Sequence, residues 1–493
     1  MANSRPRTLA ATLFASLCFA LPLVAQEPLP HVDDASTPPR GLLRLRAITV
    51  WTRWDHLFAD TGSVPLGAFL TSPALGANTG FGLAAIETQI AAAAASPFTL
   101  SLGRSRFDAT GREEVVPIGL EYGVTDRFAV GVTIPIVRRR VMTQFRLDTT
   151  GSAANVGPNP GRTSTTALAT NANVQSQFSA AASQLQSKLT SCQSNPAGSG
   201  CAALLARQSE VAPLVTSSTS FAQTLAGLYG NSASGSGAAF VPTSQSAAQA
   251  AIALRVADFN TKYKDLLSTT TDLITAIPVA AGGPAGPADF QNYVVSDLGR
   301  DSLNTQERVG IGDIEVGAKM RVLSYLSPSR TRSAQLAVAA SVRLPTGSTQ
   351  SPSEIVDMRL GNGVTAVDGR VFFDGQVGRF GLLTAARFAT LVGNDTTIPR
   401  PYGKQRIELD LAPRFHISAP FALHGAYTIR TTESEGDQLV GGGVTYSTLA
   451  AYRGTGALPI EMRFTHLEAI KGGATRPKFF RDQIEVRIYR RLR

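Results

Sequence analysis

Between positions 116 and 136 the chain reads Val116-Pro-Ile-Gly-Leu-Glu-Tyr-Gly-Val-Thr-Asp-Arg-Phe-Ala-Val-Gly-Val-Thr-Ile-Pro-Ile136. Val116, Ile118, Leu120, Tyr122 and Val124 alternate with small or polar residues. Thr125-Asp126-Arg127 interrupts, and Phe128, Val130, Val132, Ile134 and Ile136 resume the alternation. A period of two gives an extended strand one apolar face, because successive side chains point to opposite sides. Two such runs joined by three polar residues predict a β-hairpin. After Arg308 the same pattern recurs. Val316, Met320 and Val322 share a face opposed to Glu315, Lys319 and Arg321. Val338 and Val342 are opposed to Ser341 and Arg343, and Val367, Val371 and Phe373 to Asp368, Arg370 and Asp374. Leu409 and Leu411 are opposed to Glu408, Asp410 and Arg414, and Leu423, Tyr427 and Ile429 to His424 and Arg430.

About a dozen long strands with one apolar face each offer no second apolar face to make a core. A barrel whose apolar face meets lipid resolves this, and closure removes the unpaired edges. The fold class expected is therefore an all-β transmembrane, antiparallel outer-membrane β-barrel. Eleven strands are legible from the hairpin onward, so one strand before it gives twelve and three give fourteen. Fourteen is favoured, because residues 60–112 are long for one loop. The stretches 81–92 and 98–107 read as two strands or as loop and helix, and the poly-Ala run at Ala91–Ala95 is a poor strand. Trp51, Trp54 and Phe58, near the end of a first strand, suit an interfacial aromatic belt or ordinary packing.

The N-terminus fits export. Arg5 and Arg7 precede an apolar run from Leu9 to Ala25, a secretory signal with its cut expected after Ala25. Residues 26–40 are Pro-rich and polar, a flexible leader, and barrel strands are expected across 41–148 and 306–493. Residues 149–305 differ: they turn Ala-, Gln- and Leu-rich, with Phe178, Leu185 and Leu189, then Ile252, Val256, Phe259, Tyr263 and Leu266, at helical spacing. This is a helical insertion that caps, plugs or projects from the barrel. Cys192 and Cys201 bracket a Gly/Pro-rich loop; in an exported chain this spacing suggests a disulfide, with two free thiols as the alternative.

Short links at 125–127, 378–379 and 418–420 alternate with longer ones at 347–363, 392–403 and 431–438. Outer-membrane barrels have short periplasmic turns and long extracellular loops, so the helical insertion is expected on the extracellular side. The polar face then lines a lumen, with Glu315, Lys319, Arg321, Arg343, Asp368, Arg370, Asp374, Glu408, Asp410, Arg414, His424 and Arg430 as the lining candidates. Around the 418–420 turn the register sets Arg414 beside His424 and Glu408 beside Arg430. Such mixed pairs either knit the interior together or select ligands or ions. The formal net charge of +10 suits lumen arginines and anionic lipid headgroups, and an exported chain makes nucleic acid an improbable partner. No catalytic motif occurs in suitable context, His416 and His424 lack a serine partner, and no metal-ligand spacing is present, so neither enzyme activity, cofactor nor metal is expected.

The hairpin phrase Pro117 to Ile136 is similar to the Glu-Tyr-Gly-Leu-Thr-Asp-Arg hairpin of outer-membrane transporter-like barrels. These are channels associated with phenol-degradation pathways and related to the long-chain fatty-acid and aromatic-hydrocarbon channels. Gly310-Ile-Gly-Asp-Ile-Glu-Val-Gly-Ala-Lys319 and Val342-Arg-Leu-Pro-Thr-Gly347 resemble that family's next two recurring phrases. The resemblance covers about residues 110–150 and 305–493. It implies passive uptake of small, hydrophobic or aromatic molecules through the outer membrane. The alternative is a non-transporting surface barrel whose insertion binds a partner. The chain ends Tyr489-Arg-Arg-Leu-Arg493, without the terminal aromatic residue that the barrel assembly machinery usually reads, and Tyr489 is the nearest substitute.

Overall fold

The computed structural model describes residues 34–150, 153–231, 237–329, 331–392, 405–432, 436–448, 460–474 and 476–491. The signal expected at 1–25 lies outside them. The described chain divides into two compact units. One comprises residues 34–68, 108–144 and 303–491, and the other Phe69–Phe107 with Phe145–Ser302.

The first unit is a closed antiparallel barrel. Its strands are β1 (Leu42–Phe58), β2 (Arg104–Gly123), β3 (Phe128–Asp148), an interrupted β4 (Gln306–Ile311 and Glu315–Leu326), β5 (Arg332–Arg343) and β6 (Thr365–Val377). They continue as β7 (Phe380–Val392), β8 (Gln405–His416), β9 (Phe421–Thr432), β10 (Gly436–Ser447), β11 (Ile460–Lys471) and β12 (Pro477–Arg491). Each strand pairs with its sequence neighbours, and β12 closes on β1 in a ladder from Leu42↔Arg491 to Trp54↔Phe479. The barrel therefore has twelve strands, with a short extra strand, Ser63–Pro65, pairing with the end of β1, and twelve is the smaller of the two counts expected rather than the favoured fourteen. The reason lies in residues 60–112: 77–79 and 83–94 are helical, with α1 at Leu83–Ala94 absorbing the alanine run. Alanine is the strongest helix former and packs poorly in a sheet.

Period two survives into three dimensions. Ile118, Leu120, Ile134, Val316, Met320, Val371, Leu409 and Phe464 all point outward and are exposed, whereas Glu315, Lys319, Asp368, Glu408 and Arg463 point inward and are buried. No helix among the described residues is long and apolar enough to cross a membrane. An apolar exterior on a closed barrel makes this a transmembrane β-barrel, whose backbone groups pair between neighbouring strands of the wall. Phe380 packs against Phe415 (ring centroids 5.2 Å apart) and Phe421 against Tyr446 (5.8 Å), both pairs tilted, beside the two tight turns, forming part of an aromatic girdle. Trp51 also faces outward, but Trp54 faces inward and lies against Gly111, where a Cβ would come within 2.0 Å of the indole.

β4 breaks where β3 offers Pro135. Proline has no N–H to give the ladder. Pairing runs from Phe128↔Met320 to Thr133↔Glu315, lapses, and resumes at Ile136↔Ile311. The break leaves residues 312–314 outside the regular ladder, with Gly312 donating to the Pro135 carbonyl at 2.8 Å, and leaves Asp313 buried.

The second unit is helical: α1, α2 (Thr165–Ser194), α3 (Cys201–Ala206), α4 (Gln208–Tyr229), α5 (Ala247–Leu267) and α6 (Pro287–Asn292). Ser164 and Ser246 cap α2 and α5, each hydroxyl accepting a backbone N–H from the first turn. The helical spacing of Phe178, Ile252, Val256, Phe259 and Tyr263 becomes a core: all are buried, and the Phe178, Phe221 and Phe259 rings lie 5.3–5.8 Å apart. Arg255 sits 4.3 Å over Phe221 and donates to the carbonyls of Ala92 and Ala93 at the end of α1. That contact draws residues 69–107 into this unit beside the insertion expected at 149–305. Cys192 and Cys201 are joined by a disulfide linking α2 to α3. Burial raises the Tyr293 phenol to about 12; its hydroxyl donates to the Phe81 carbonyl at 2.8 Å.

Candidate functional site: the barrel lumen

A twelve-stranded barrel leaves a narrow interior that side chains can largely fill. The inward positions of β4–β9 carry alternating signs. Arg370 pairs with Glu315 at 2.5 Å, Arg343 lies 3.6 Å from Asp368, and Arg387 donates to Asp368. Arg414 pairs with Asp374 at 2.9 Å. Register sets Glu408 opposite Arg430 and Arg414 opposite His424, as the spacing around residues 418–420 predicts. Glu408 and Arg430 bond at 2.9 Å, while His424 contacts Thr465 (3.0 Å) and Thr445 (3.4 Å). Asp410 accepts from the Thr428 hydroxyl. Arg321 lies nearer the short-turn end and donates to the Asp126 carbonyl at 2.7 Å.

Other charges complete the network that those candidates begin. Glu485 of β12 accepts from Arg46 (2.5 Å) and Arg487 (2.7 Å), and Arg463 lies 3.7 Å away. Arg44 pairs with Glu121. These residues alternate inward on β1, β2, β11 and β12 as legibly as those of β4–β9. The same period-two rule that nominated the others would have found them.

Two segments that are not strands lie inside the barrel. The first is described from Asp34 onward. Its carboxylate pairs with Arg487 and accepts the Ser36 N–H at 3.0 Å, and its carbonyl accepts from Lys319. Ala35 is fully buried against Ala337, Phe372 and Ala385, and Arg44 donates to the Ser36 hydroxyl at 3.0 Å. Contacts to β1, β4, β5, β6, β7 and β12 place this stretch across the lumen. The described part of the expected leader, from Asp34, is thus held in place.

The second segment is the β5–β6 connection, residues 344–364, in which Glu354 to Leu360 are all buried. Arg139 of β3 pairs with Glu113 and reaches Asp357 at 3.9 Å, and Arg308 pairs with Glu354 at 2.6 Å and donates to the Met358 carbonyl at 3.2 Å. Leu360 fills an apolar patch of the inner wall made by Ile48, Val50, Val115 and Val137. The base of this connection is fixed by Asp313, whose carboxylate accepts the Gly347 N–H (3.0 Å) and the Asn362 N–H (2.7 Å). A cavity remains in the lumen, lined among others by Glu121, Lys319, Phe372, Arg387 and Asp410.

A closed barrel with an apolar exterior and a charged, partly occupied lumen defines the class: a transmembrane β-barrel of outer-membrane type. Within that class, residues 230–451 match the model of a family described as "Putative MetA-pathway of phenol degradation", somewhat less than half of the chain. No curated protein matches the sequence. Among solved structures the chain is similar to an outer-membrane channel from Pseudomonas putida F1, with 9% identity, a TM-score of 0.41, and 94% of this chain and 100% of that one covered. It is also similar to the toluene transporter TbuX of Ralstonia pickettii (9% identity, TM-score 0.28, 94% and 92% covered). A third likeness is to the translocator domain of the autotransporter NalP from Neisseria meningitidis (6% identity, TM-score 0.28, 93% and 90% covered).

Proposed function

We propose that this protein is a passive outer-membrane channel for small hydrophobic, including aromatic, molecules. The observation that carries this reading is the apolar patch of Ile48, Val50, Val115 and Val137 on a largely charged inner wall, occupied by Leu360 of a connection rather than by a strand residue. A wall patch filled by a loop side chain becomes available when the loop moves. The loop is retained by two ion pairs, Arg139–Asp357 and Arg308–Glu354, and by the Asp313 cradle, contacts that can open and re-form without loss of the barrel ladder. The family match points the same way, toward the catabolism of a phenolic compound. Burial of a solute's apolar surface on such a patch is favourable by about 25 cal/mol per Å². That is enough to attract a ring while still allowing release.

The reading makes the paired lumen charges a scaffold that keeps the narrow wall rigid and water-poor, with no chemical step. Uptake of a radiolabelled phenolic or toluene-like solute into proteoliposomes tests it. Faster entry than into protein-free vesicles, slowed by Leu360→Trp, supports it; equal entry in all three contradicts it.

A further inference from the structure

The outward face of β12, β1, β2 and β3 changes character at one height. On the short-turn side Ile484, Ile118, Ile134 and Ile136 are exposed. On the long-connection side stand Arg53, Arg112, Arg138 and Arg140, all exposed. The β1–β2 ladder sets Arg53 directly opposite Arg112, and neither has an ion-pair partner among the described residues. Like charges in direct cross-strand register destabilise a sheet. Arg138 and Arg140 share one carboxylate, that of Glu307, at 2.8 and 3.7 Å. Of the acids nearby, Asp482 is engaged by His466 at 2.8 Å, and Glu114 lines the groove within electrostatic reach of Arg138. A groove runs between these arginines, with Trp51 and Phe480 among its walls.

We propose that this groove binds the phosphorylated headgroup of an anionic lipid in the leaflet around the barrel. Guanidinium groups match phosphate oxygens bidentately, which accounts for four arginines in place of lysines. The cluster begins where the apolar belt ends, the level at which headgroups sit. Trp51 and Phe480 give the apolar root of such a lipid a surface to lie against. A dissolved phosphate would use neither the aromatics nor the height. The occupant also relieves the Arg53–Arg112 repulsion that the sheet alone leaves unanswered.

The test is native mass spectrometry of the full-length protein in detergent, titrated with diphosphoryl lipid A and with its dephosphorylated counterpart. Heat-dependent gel mobility confirms that each variant is a folded barrel. Wild type should retain the diphosphorylated lipid at least about tenfold more tightly than the dephosphorylated one. The double substitution Arg53→Gln with Arg112→Gln should erase that preference, and Arg53→Lys with Arg112→Lys should keep part of it. Arg490→Gln, at the opposite end of β12, should leave it intact. Equal retention of both lipids by wild type, full retention by the double Gln variant, or loss in the Arg490 variant would each overturn the proposal. Displacement of the lipid by excess inorganic phosphate would assign the arginines to a free anion and overturn it as well.

Discussion

The carboxylate of Asp313 accepts the backbone N–H of Gly347 at 3.0 Å. This bond joins the two sequence phrases Gly310 to Lys319 and Val342 to Gly347, one ending the break in β4 and the other starting the connection that folds into the lumen. Backbone donors held by a buried carboxylate are among the stronger hydrogen bonds. Asp313 and Gly347 therefore act as one latch at the loop's base.

Asp313→Ala removes the acceptor for both Gly347 and Asn362 and leaves their N–H groups unpaired, at a cost of about 1–3 kcal/mol each if they stay buried. The loop should spend more time out of the lumen. Single-channel recording in planar bilayers should show larger or more frequent conductance steps than wild type, with unchanged heat-dependent mobility of the barrel.

Gly361→Ala should reproduce that phenotype sterically. A Cβ at Gly361 would come within 2.2 Å of Asp313 Oδ1 and 2.7 Å of the Gly347 Cα, whereas a Cβ at Gly369, on the neighbouring strand β6, meets nothing within 4 Å. Gly369→Ala is the matched control and should behave as wild type in the same recordings.

The Glu408–Arg430 pair lends itself to a charge swap. Either single reversal places two like charges opposite each other on a buried face, and breaking a buried pair costs about 3–5 kcal/mol. Unfolding of the barrel in urea, followed by tryptophan fluorescence, should show both single variants destabilised. The double swap should recover much of the loss, held back by Arg406, which also contacts Glu408.

That pair was legible in the sequence because it needs only a turn position and a period of two. The outward and inward faces of β4 to β9 were legible for the same reason, and so were the helical spacings of α2 and α5. Arg139–Asp357 and Asp34–Arg487 were not, because each joins a strand to an irregular segment whose position follows no period. Strand number was misjudged at residues 60–112, where the alanine run carries no face and reads as a strand only if a long loop is disallowed. The share of residues 69–107 in the helical unit rests on contacts such as Arg255 to Ala92 and Ala93, between residues far apart in sequence.

Replacing Cys192 and Cys201 by Ser should affect the helical unit alone. The bridge closes a short loop between α2 and α3, and the chain-entropy model assigns such a loop about 2–3 kcal/mol. Limited proteolysis should cut the double Ser variant within residues 190–207 faster than wild type. The barrel's heat-dependent gel mobility should not change.

The most direct test of the channel reading is single-channel conductance combined with aromatic uptake for a variant lacking residues 349–358 of the β5–β6 connection. The account predicts that wild type conducts little, that the deletion produces stepwise conductance, and that uptake of a phenolic solute rises with it. If the folded deletion variant stays electrically silent and takes up no more solute than protein-free vesicles, the barrel is not a channel gated by this loop. The non-transporting surface barrel would then be the better reading.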